Sequence, residues 1–337
     1  MSREPSFHDL APSGARVLWV ASSGGHLTEL TRIARTTSAD EQSDWVTFDT
    51  PQTRGALQGQ RCHFVDYIAP RDLRRAVKAS SWAIRHLRRE KYDVCISTGA
   101  ALAVSVLPVA AAYGCNAIYV ESISRVDGPS LTGRILRATP RVRTYTQHAA
   151  WSSSSWKWSG SILDGWVAEP RARAKRSRRV FVTLGTIQPY RFDRIVDAVL
   201  SVIEPGDEVV WQLGSTVRAD LPGKVLREVS QDEFRRLAAE SDVTVTHAGV
   251  GSILELLDLG LVPVLAVRSS GFDEHVDDHQ RQIADEMVRR GLAFELDLEA
   301  PSGETFERAC SFEALAVGAN DHRRSGTSAG HNTFRGE

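Results

Sequence analysis

Residues 247–255 read His247-Ala248-Gly249-Val250-Gly251-Ser252-Ile253-Leu254-Glu255, between a strand-like run (Val243–Thr246) and an apolar helical run (Ile253–Leu257). Two glycines and a serine thus fall where a strand turns into a helix. Glycine lets a ligand approach the backbone closely, and a helix N-terminus offers unpaired N–H groups at a positive dipole end. That is chemistry for a phosphate group. Glu255, one turn on, has the reach to accept hydrogen bonds from sugar hydroxyls. Ser252-x-x-Glu255 is equally the spacing of a capping box, which would only satisfy the helix's own N–H groups.

A second glycine turn, Ser22-Ser23-Gly24-Gly25-His26, follows the apolar run Arg16–Ala21 and precedes a helical stretch, Leu27–Ala34. Ser97–Ala100 and Gly185–Ile187 are further loops after strand-like runs. Neither glycine pattern is GxGxxG, and the Walker lysine is missing, which disfavours hydride transfer and P-loop ATP hydrolysis. His275-x-x-Asp278-His279 reads more readily as a polar helix entry than as metal ligands, so no metal and no cofactor are expected. Four scattered cysteines without a CxxC pair argue against a disulfide framework or zinc and for a reducing cytoplasm.

The elements that must position these loops alternate. Strand-like runs at 45–48, 62–65, 92–97 and 117–120 are separated by helical stretches at 72–90 and 100–113, and the plan repeats from residue 179. The expected fold class is α/β, with two Rossmann-like doubly wound domains facing across a cleft, ligand loops at the carboxyl ends of the strands. The boundaries expected are a disordered 1–15, a first domain at 16–167, a basic linker at 168–179, a second domain at 180–300 and a disordered tail at 301–337.

With 337 residues, 42% hydrophobic and 25% charged, the chain suits a globular protein of two domains. Its net charge of −1 hides an asymmetry: residues 1–179 carry 26 Lys and Arg against 15 Asp and Glu, and the rest 15 against 27. A basic half meets something anionic. The helix at 72–91 sets Arg74, Arg75, Arg85 and Arg88 among Leu73, Val77, Trp82 and Leu87, a pattern that can lie on an anionic bilayer. No aromatic-basic motif suggests nucleic acid. Val94–Val120 carries no charge, but Gly99, Pro108 and Gly114 interrupt it and its helical part is too short to span a membrane. Met1–Ala15 has no signal-peptide core.

The combination of motifs resembles a known family. Ser23-Gly24-Gly25-His26-Leu27-Thr28-Glu29-Leu30, with Tyr119-Val120-Glu121-Ser122 and the stretch Arg125–Leu136, resembles the membrane-associated acceptor subunit of the eukaryotic pair that adds the second N-acetylglucosamine to dolichol-pyrophosphate-N-acetylglucosamine. Residues 180–295 are similar to its donor-binding catalytic subunit, through Phe181–Thr186, His247–Glu255 and Asp278-His279-Gln280. Bacterial exopolysaccharide glycosyltransferases and the lipid II-forming enzyme are further relatives. The resemblance implies both halves fused in one chain, a GT-B fold and an inverting, metal-independent transfer. The donor would be a UDP-sugar carrying N-acetylglucosamine, galactose or glucuronic acid. The acceptor would be polyprenyl-(pyro)phosphate-linked, at the inner face of the cell membrane, with polysaccharide-assembly enzymes as a further partner class. The eukaryotic acceptor subunit has an N-terminal membrane anchor absent from this sequence, so membrane contact is expected to be peripheral.

Such a transfer needs a base and positive partial charge near the departing diphosphate. His26 and Glu121 are the rival bases. Gly24, Gly25, Gly185, Thr186, Gly249, Gly251 and Ser252 are expected around the diphosphate, with His247 beside them. Glu255 is expected at the ribose, Leu213 and Gly214 at the uracil, and His279 and Gln280 at the donor sugar or phosphate. Ser122 and Arg125 are assigned to the acceptor side. Competing readings are a UDP-sugar 2-epimerase of the same fold and a non-catalytic nucleotide-sugar-binding partner protein.

Overall fold

Parallel strands with buried, β-branched interiors build two sheets, each covered by helices (computed structural model describing residues 6–69, 72–171, 178–185, 189–275 and 279–317). The first sheet contains β1 (Val17–Ala21), β2 (Asp44–Phe48), β3 (Arg61–Val65), β4 (Val94–Gly99), β5 (Asn116–Val120), β6 (Val142–Thr146) and β7 (Trp156–Trp158), in the order β3-β2-β1-β4-β5-β6-β7. Its helices are α1 (Gly25–Thr36), α2 (Pro51–Ala56), α3 (Leu73–Leu87), α4 (Ala100–Ala112) and α5 (Leu131–Arg137). After β8 (Trp166–Pro170) comes the second sheet: β9 (Arg179–Thr183), β10 (Glu208–Gln212), β11 (Lys224–Leu226), β12 (Val243–His247), β13 (Val264–Ala266) and β14 (Phe294–Glu295), ordered β11-β10-β9-β12-β13-β14. Its helices are α6 (Asp193–Val202), α7 (Gln231–Glu240), α8 (Val250–Asp258), α9 (His279–Arg289) and α10 (Gly303–Cys310), and β15 (Phe312–Ala316) follows.

Both strand orders reverse direction at one place, between β1 and β4 in the first sheet and between β9 and β12 in the second. Strands there feed their connections to opposite faces and leave a crevice at their carboxyl ends. The four loops singled out in the sequence leave these four strands.

Three expected boundaries are corrected. Phe7–Leu10 forms a 3-10 turn capped by Ser6, and Phe7, Leu10, Ala11 and Ala15 are buried, so 6–15 packs on the first domain because its apolar side chains have a core to join. Ala168–Pro170 is strand, not linker, and Arg178 is buried beside Asp207 at 2.6 Å; residues 172–177 lie outside the described residues. The expected disordered tail begins as structure: Phe306, Ala309 and Cys310 bury one face of α10, and β15 pairs antiparallel with β8. A polar stretch of low periodicity is held there by the edge that β8 offers. Residues 318–337 lie outside the described residues.

One of the core clusters spans both sheets. Leu27, Leu30 and Ile33 of α1 join Ile253, Leu254 and Leu257 of α8 in a single buried cluster. Arg32 of α1 is ion-paired with Asp258 of α8, and Arg290 bonds Asp164 at 2.7 Å. The apolar contacts and the Arg32–Asp258 pair hold α1 and α8 side by side along their length.

Candidate active site

Each switch point is spanned by a histidine. His26, in the first turn of α1, lies over Gly99 at the end of β4: a methyl group on Gly99 would come 2.7 Å from its Cε1. The Thr98 hydroxyl donates to the His26 carbonyl at 2.7 Å. His247, ending β12, is wedged between Gly185 and Gly249, where added methyl groups would lie 2.6 Å from its Cε1 and 2.3 Å from its Nε2. Gly185 also has φ +72°, a backbone conformation that side chains resist. These glycines are therefore required by the imidazole rings as well as by any ligand. Enclosure of the His247 ring and the nearby Arg268 cation push its pKa down to about 3, so the ring is neutral at physiological pH.

The two glycine turns meet. A methyl group on Gly25 would sit 3.5 Å from Cβ of Val250 and 3.7 Å from the amide nitrogen of Gly251. The first turns of α1 and α8, one from each sheet, thus face one another with their positive dipole ends together. Neither has a side-chain cap, since their N-caps are Gly24 and Gly249. The capping-box reading of Ser252 is accordingly corrected: Ser252 lies within the first turn of α8, and its hydroxyl does not cap. Glu255 is buried, 8% exposed, and ion-paired with Arg235 of α7.

The remaining candidates divide. Thr186 lies outside the described residues. His279 opens α9, and its side chain is likewise outside the described set; Gln280 is buried, with its Oε1 unpartnered among the described residues. Leu213 is packed in the core of the second sheet, so its side chain does not border a ring; Gly214, at φ +59°, makes the turn beside it. Among the arginines of α3, Arg75 donates to the Tyr67 carbonyl and Arg88 to the Tyr113 hydroxyl, and Arg74 and Arg85 are exposed.

Glu121 and Ser122 are corrected by their surroundings. Glu121 is 1% exposed and accepts from the Tyr119 hydroxyl (2.7 Å), the Ser130 amide (2.9 Å) and the Ser130 hydroxyl (3.1 Å). A methyl on Gly133 would strike its Oε2. Its carboxylate anchors the loop into α5 and is not open to an acceptor hydroxyl. Ser122 donates to Glu29 at 2.6 Å and is buried too. Arg125 follows in the same loop, half-buried, its amide donating to the Ser122 carbonyl at 3.0 Å.

Two residues the sequence reading passed over matter here. Glu29, one turn along α1 from His26, accepts from Ser122, from the Ile123 amide (3.0 Å) and from Gln147 (3.0 Å). Burial pushes its pKa up to about 7 against these hydrogen bonds. Its place inside an amphipathic helix offered a signal, because a glutamate there falls on the Leu27–Leu30–Ile33 face. Arg268, 2% exposed, donates to the carbonyls of Leu184 (2.8 Å) and Glu274 (2.9 Å), clamping the stems of two loops that leave the second sheet after β9 and β13. No spacing rule marks such an arginine.

Asp44, His63 and His86 bring ligand atoms within 4.8 Å of one another. Asp44, however, already accepts from Arg61 (2.8 Å), Arg16 (3.0 Å) and the Tyr92 hydroxyl. Two guanidinium groups at one carboxylate compete with any cation, and the cluster is an ion-pair network.

With this geometry in hand, the likenesses to known proteins are informative. Residues 179–295 match the Glycosyltransferase family 28 C-terminal domain. The "UDP-N-acetylglucosamine transferase subunit ALG13" of Cryptococcus neoformans is 31% identical over 110 residues, 31% of this chain and 54% of that protein. The chain thus spans about half the length of the curated relatives it matches. Among solved structures, MurG of Acinetobacter baumannii aligns over 87% of this chain and 89% of its own, at TM-score 0.53 and 16% identity. The glycosyltransferase SnogD from Streptomyces nogalater aligns over 88% and 91%, at TM-score 0.55 and 18% identity. The fold is the expected GT-B arrangement of two Rossmann-like domains.

Proposed function

We propose that this protein is a glycosyltransferase that moves a sugar from a UDP-sugar to a polyprenyl-(pyro)phosphate-linked acceptor at an anionic membrane surface, with donor and acceptor halves in one chain. The observation that carries this reading is the meeting of two uncapped helix N-termini, α1 and α8, at Gly25 and Gly251. A diphosphate is the ligand that two such dipole ends favour. The family match over 179–295 supports UDP-sugar donors in general, and the name of the Cryptococcus relative favours N-acetylglucosamine.

In this reading the amides of Gly249, Gly251 and Ser252 hold the diphosphate and stabilise it as it leaves. Glu255 takes the ribose hydroxyls, and Gln280 and His279 the donor sugar. His26, at the facing helix start, removes the proton from the acceptor hydroxyl as that oxygen attacks the anomeric carbon, with inversion. The acceptor enters from the first domain, whose helices α3 and α5 leave Leu73 (77% exposed), Val77 (66%), Leu131 (73%) and Ile135 (44%) in solvent beside Arg74 and Arg134. Apolar side chains among arginines suit peripheral attachment to an anionic bilayer. Among the described residues no helix is long and apolar enough to cross a membrane.

The test is a panel of radiolabelled UDP-sugars incubated with the protein and polyprenyl-pyrophosphate-linked acceptors. Label from one sugar is expected in the organic phase. Label remaining wholly in water, or conversion of the UDP-sugar to its 2-epimer, overturns the proposal.

A further inference from the structure

At the pole opposite the interdomain crevice, a hollow of about 380 Å³ opens where β6 and β7 begin and α5 ends. Three cations line it, Arg137, Arg143 and Lys157, together with Thr144, Ser154 and Ser155. Among the described residues no carboxylate does. None of the three cations has an ion pair among the described residues, whereas other arginines of the chain gather carboxylates, Arg218 with Asp197 and Asp220 and Arg290 with Glu286 and Asp164. The hollow is also built. The Arg137 guanidinium donates to the Ser155 hydroxyl at 3.3 Å, and Thr144 donates to the Ser155 carbonyl, so β7 and the end of α5 are fastened around it. Between Ser155 and Lys157 in β7, Trp156 is buried and edge-on to Tyr119 and Trp151, which fixes that strand in place.

Like charges around one concavity repel, and because Arg137, Arg143 and Lys157 are exposed that repulsion is moderated by solvent and salt. A ligand with two negative charges and several acceptor oxygens removes that repulsion and takes hydrogen bonds from guanidinium, ammonium and hydroxyl donors together. We propose that this hollow is a phosphate-binding site, separate from the donor crevice, which takes a phosphate or pyrophosphate group either free in solution or as the headgroup of a lipid. Its size exceeds a single phosphate and accommodates the diphosphate with its hydration water.

The test is calorimetric titration of the full chain with inorganic pyrophosphate in the presence of saturating UDP. Binding is expected to persist, and to weaken at least about tenfold in Arg137→Gln/Arg143→Gln/Lys157→Gln and in the single variant Arg143→Glu, both retaining wild-type melting temperature. Unchanged pyrophosphate binding by a folded triple variant overturns the proposal, as does a wild-type chain that binds no pyrophosphate once UDP is present. Flotation with phosphatidylglycerol and with phosphatidylcholine vesicles separates the sources. A triple variant that loses the phosphatidylglycerol preference assigns the site to a lipid headgroup. One that keeps it while losing pyrophosphate assigns the site to a soluble phosphate.

Discussion

His247 lies across Gly185: the imidazole at the end of β12 occupies the space that a side chain at the end of β9 would fill, with its Cε1 2.6 Å from where a Cβ would stand. The same ring fills the space beside Gly249. His247 is thereby a spacer between two loops that approach the same crevice. The Gly249→Ala variant should therefore be destabilised by about 1–3 kcal/mol through overpacking. In a His247→Ala background the cost should fall below about 1 kcal/mol, because the atom it strikes is gone. Urea unfolding of the four proteins measures this; additive effects would contradict the spacer role.

Glu255 shares its carboxylate with Arg235, which is half-exposed, so under the proposed donor site this pair would compete only weakly with a ribose. Glu255→Ala is expected to raise the KM for the UDP-sugar by about tenfold to a hundredfold, the value of a hydrogen bond to a charged group. Arg235→Gln should change it far less. Comparable effects from both would mean that the ion pair, and not ribose binding, is what Glu255 serves.

Much of this was legible in the sequence. Both glycine turns, the alternation of strands and helices, and the strand starts near residues 17, 94, 180 and 243 follow from local periodicity and turn chemistry, which α/β units display strongly. The structured ends did not show. β15 has no strong pattern of its own and is ordered by pairing with β8, a contact made across the whole second domain. Glu121 misled for a related reason. A carboxylate at a strand end reads as a ligand group, and only the tertiary placement of Tyr119, Ser130 and Gly133 around it reveals an anchor. Arg268 was invisible because its partners are main-chain carbonyls from distant loops.

Glu29 provides a pH signature. Its pKa rises from the ordinary carboxylate range to about 7 on folding, so the folded state binds its proton more tightly than the unfolded chain does. That contribution is fully present below the unfolded value near 4.5 and is lost as pH rises through 7. His247 and His86, pushed down to about 3 and about 4, work in the opposite direction, stabilising above 6.5 and losing that contribution as pH falls. The net slope mixes the two, and the difference between Glu29→Gln and wild type isolates the first. Relative to wild type, Glu29→Gln should gain up to about 3 kcal/mol between pH 4.5 and 8, read from denaturant midpoints. A difference that does not vary with pH would refute the shift.

Attachment to anionic vesicles should draw on two separable contributions. Replacing Arg74, Arg75, Arg85 and Arg88 by Gln should abolish sedimentation with phosphatidylglycerol vesicles at low salt, and wild-type binding should weaken steeply as salt rises. Replacing exposed Leu73 and Val77 by Ser should weaken binding without changing its salt dependence, since their contribution is apolar burial. Undiminished pelleting of both variants would exclude α3 from the membrane contact.

His26 and Glu121 are separated by their surroundings, and kinetics can read the difference. His26 is half-buried at the meeting of α1 and α8, within reach of a group bound between them, and His26→Ala should lower kcat by about a hundredfold or more with little change in UDP affinity. Glu121, enclosed by Tyr119 and Ser130, should act through the loop that it anchors. Glu121→Gln leaves the Ser130 amide without a charged acceptor, which lowers the melting temperature and raises the KM for the acceptor, while kcat at saturation stays within about tenfold of wild type. The pH profile of kcat should retain its low-pH limb, where protonation of the base stops the reaction, in Glu121→Gln and lose it in His26→Ala. The reverse pattern would transfer the base role to Glu121 and require the α5 loop to open during turnover.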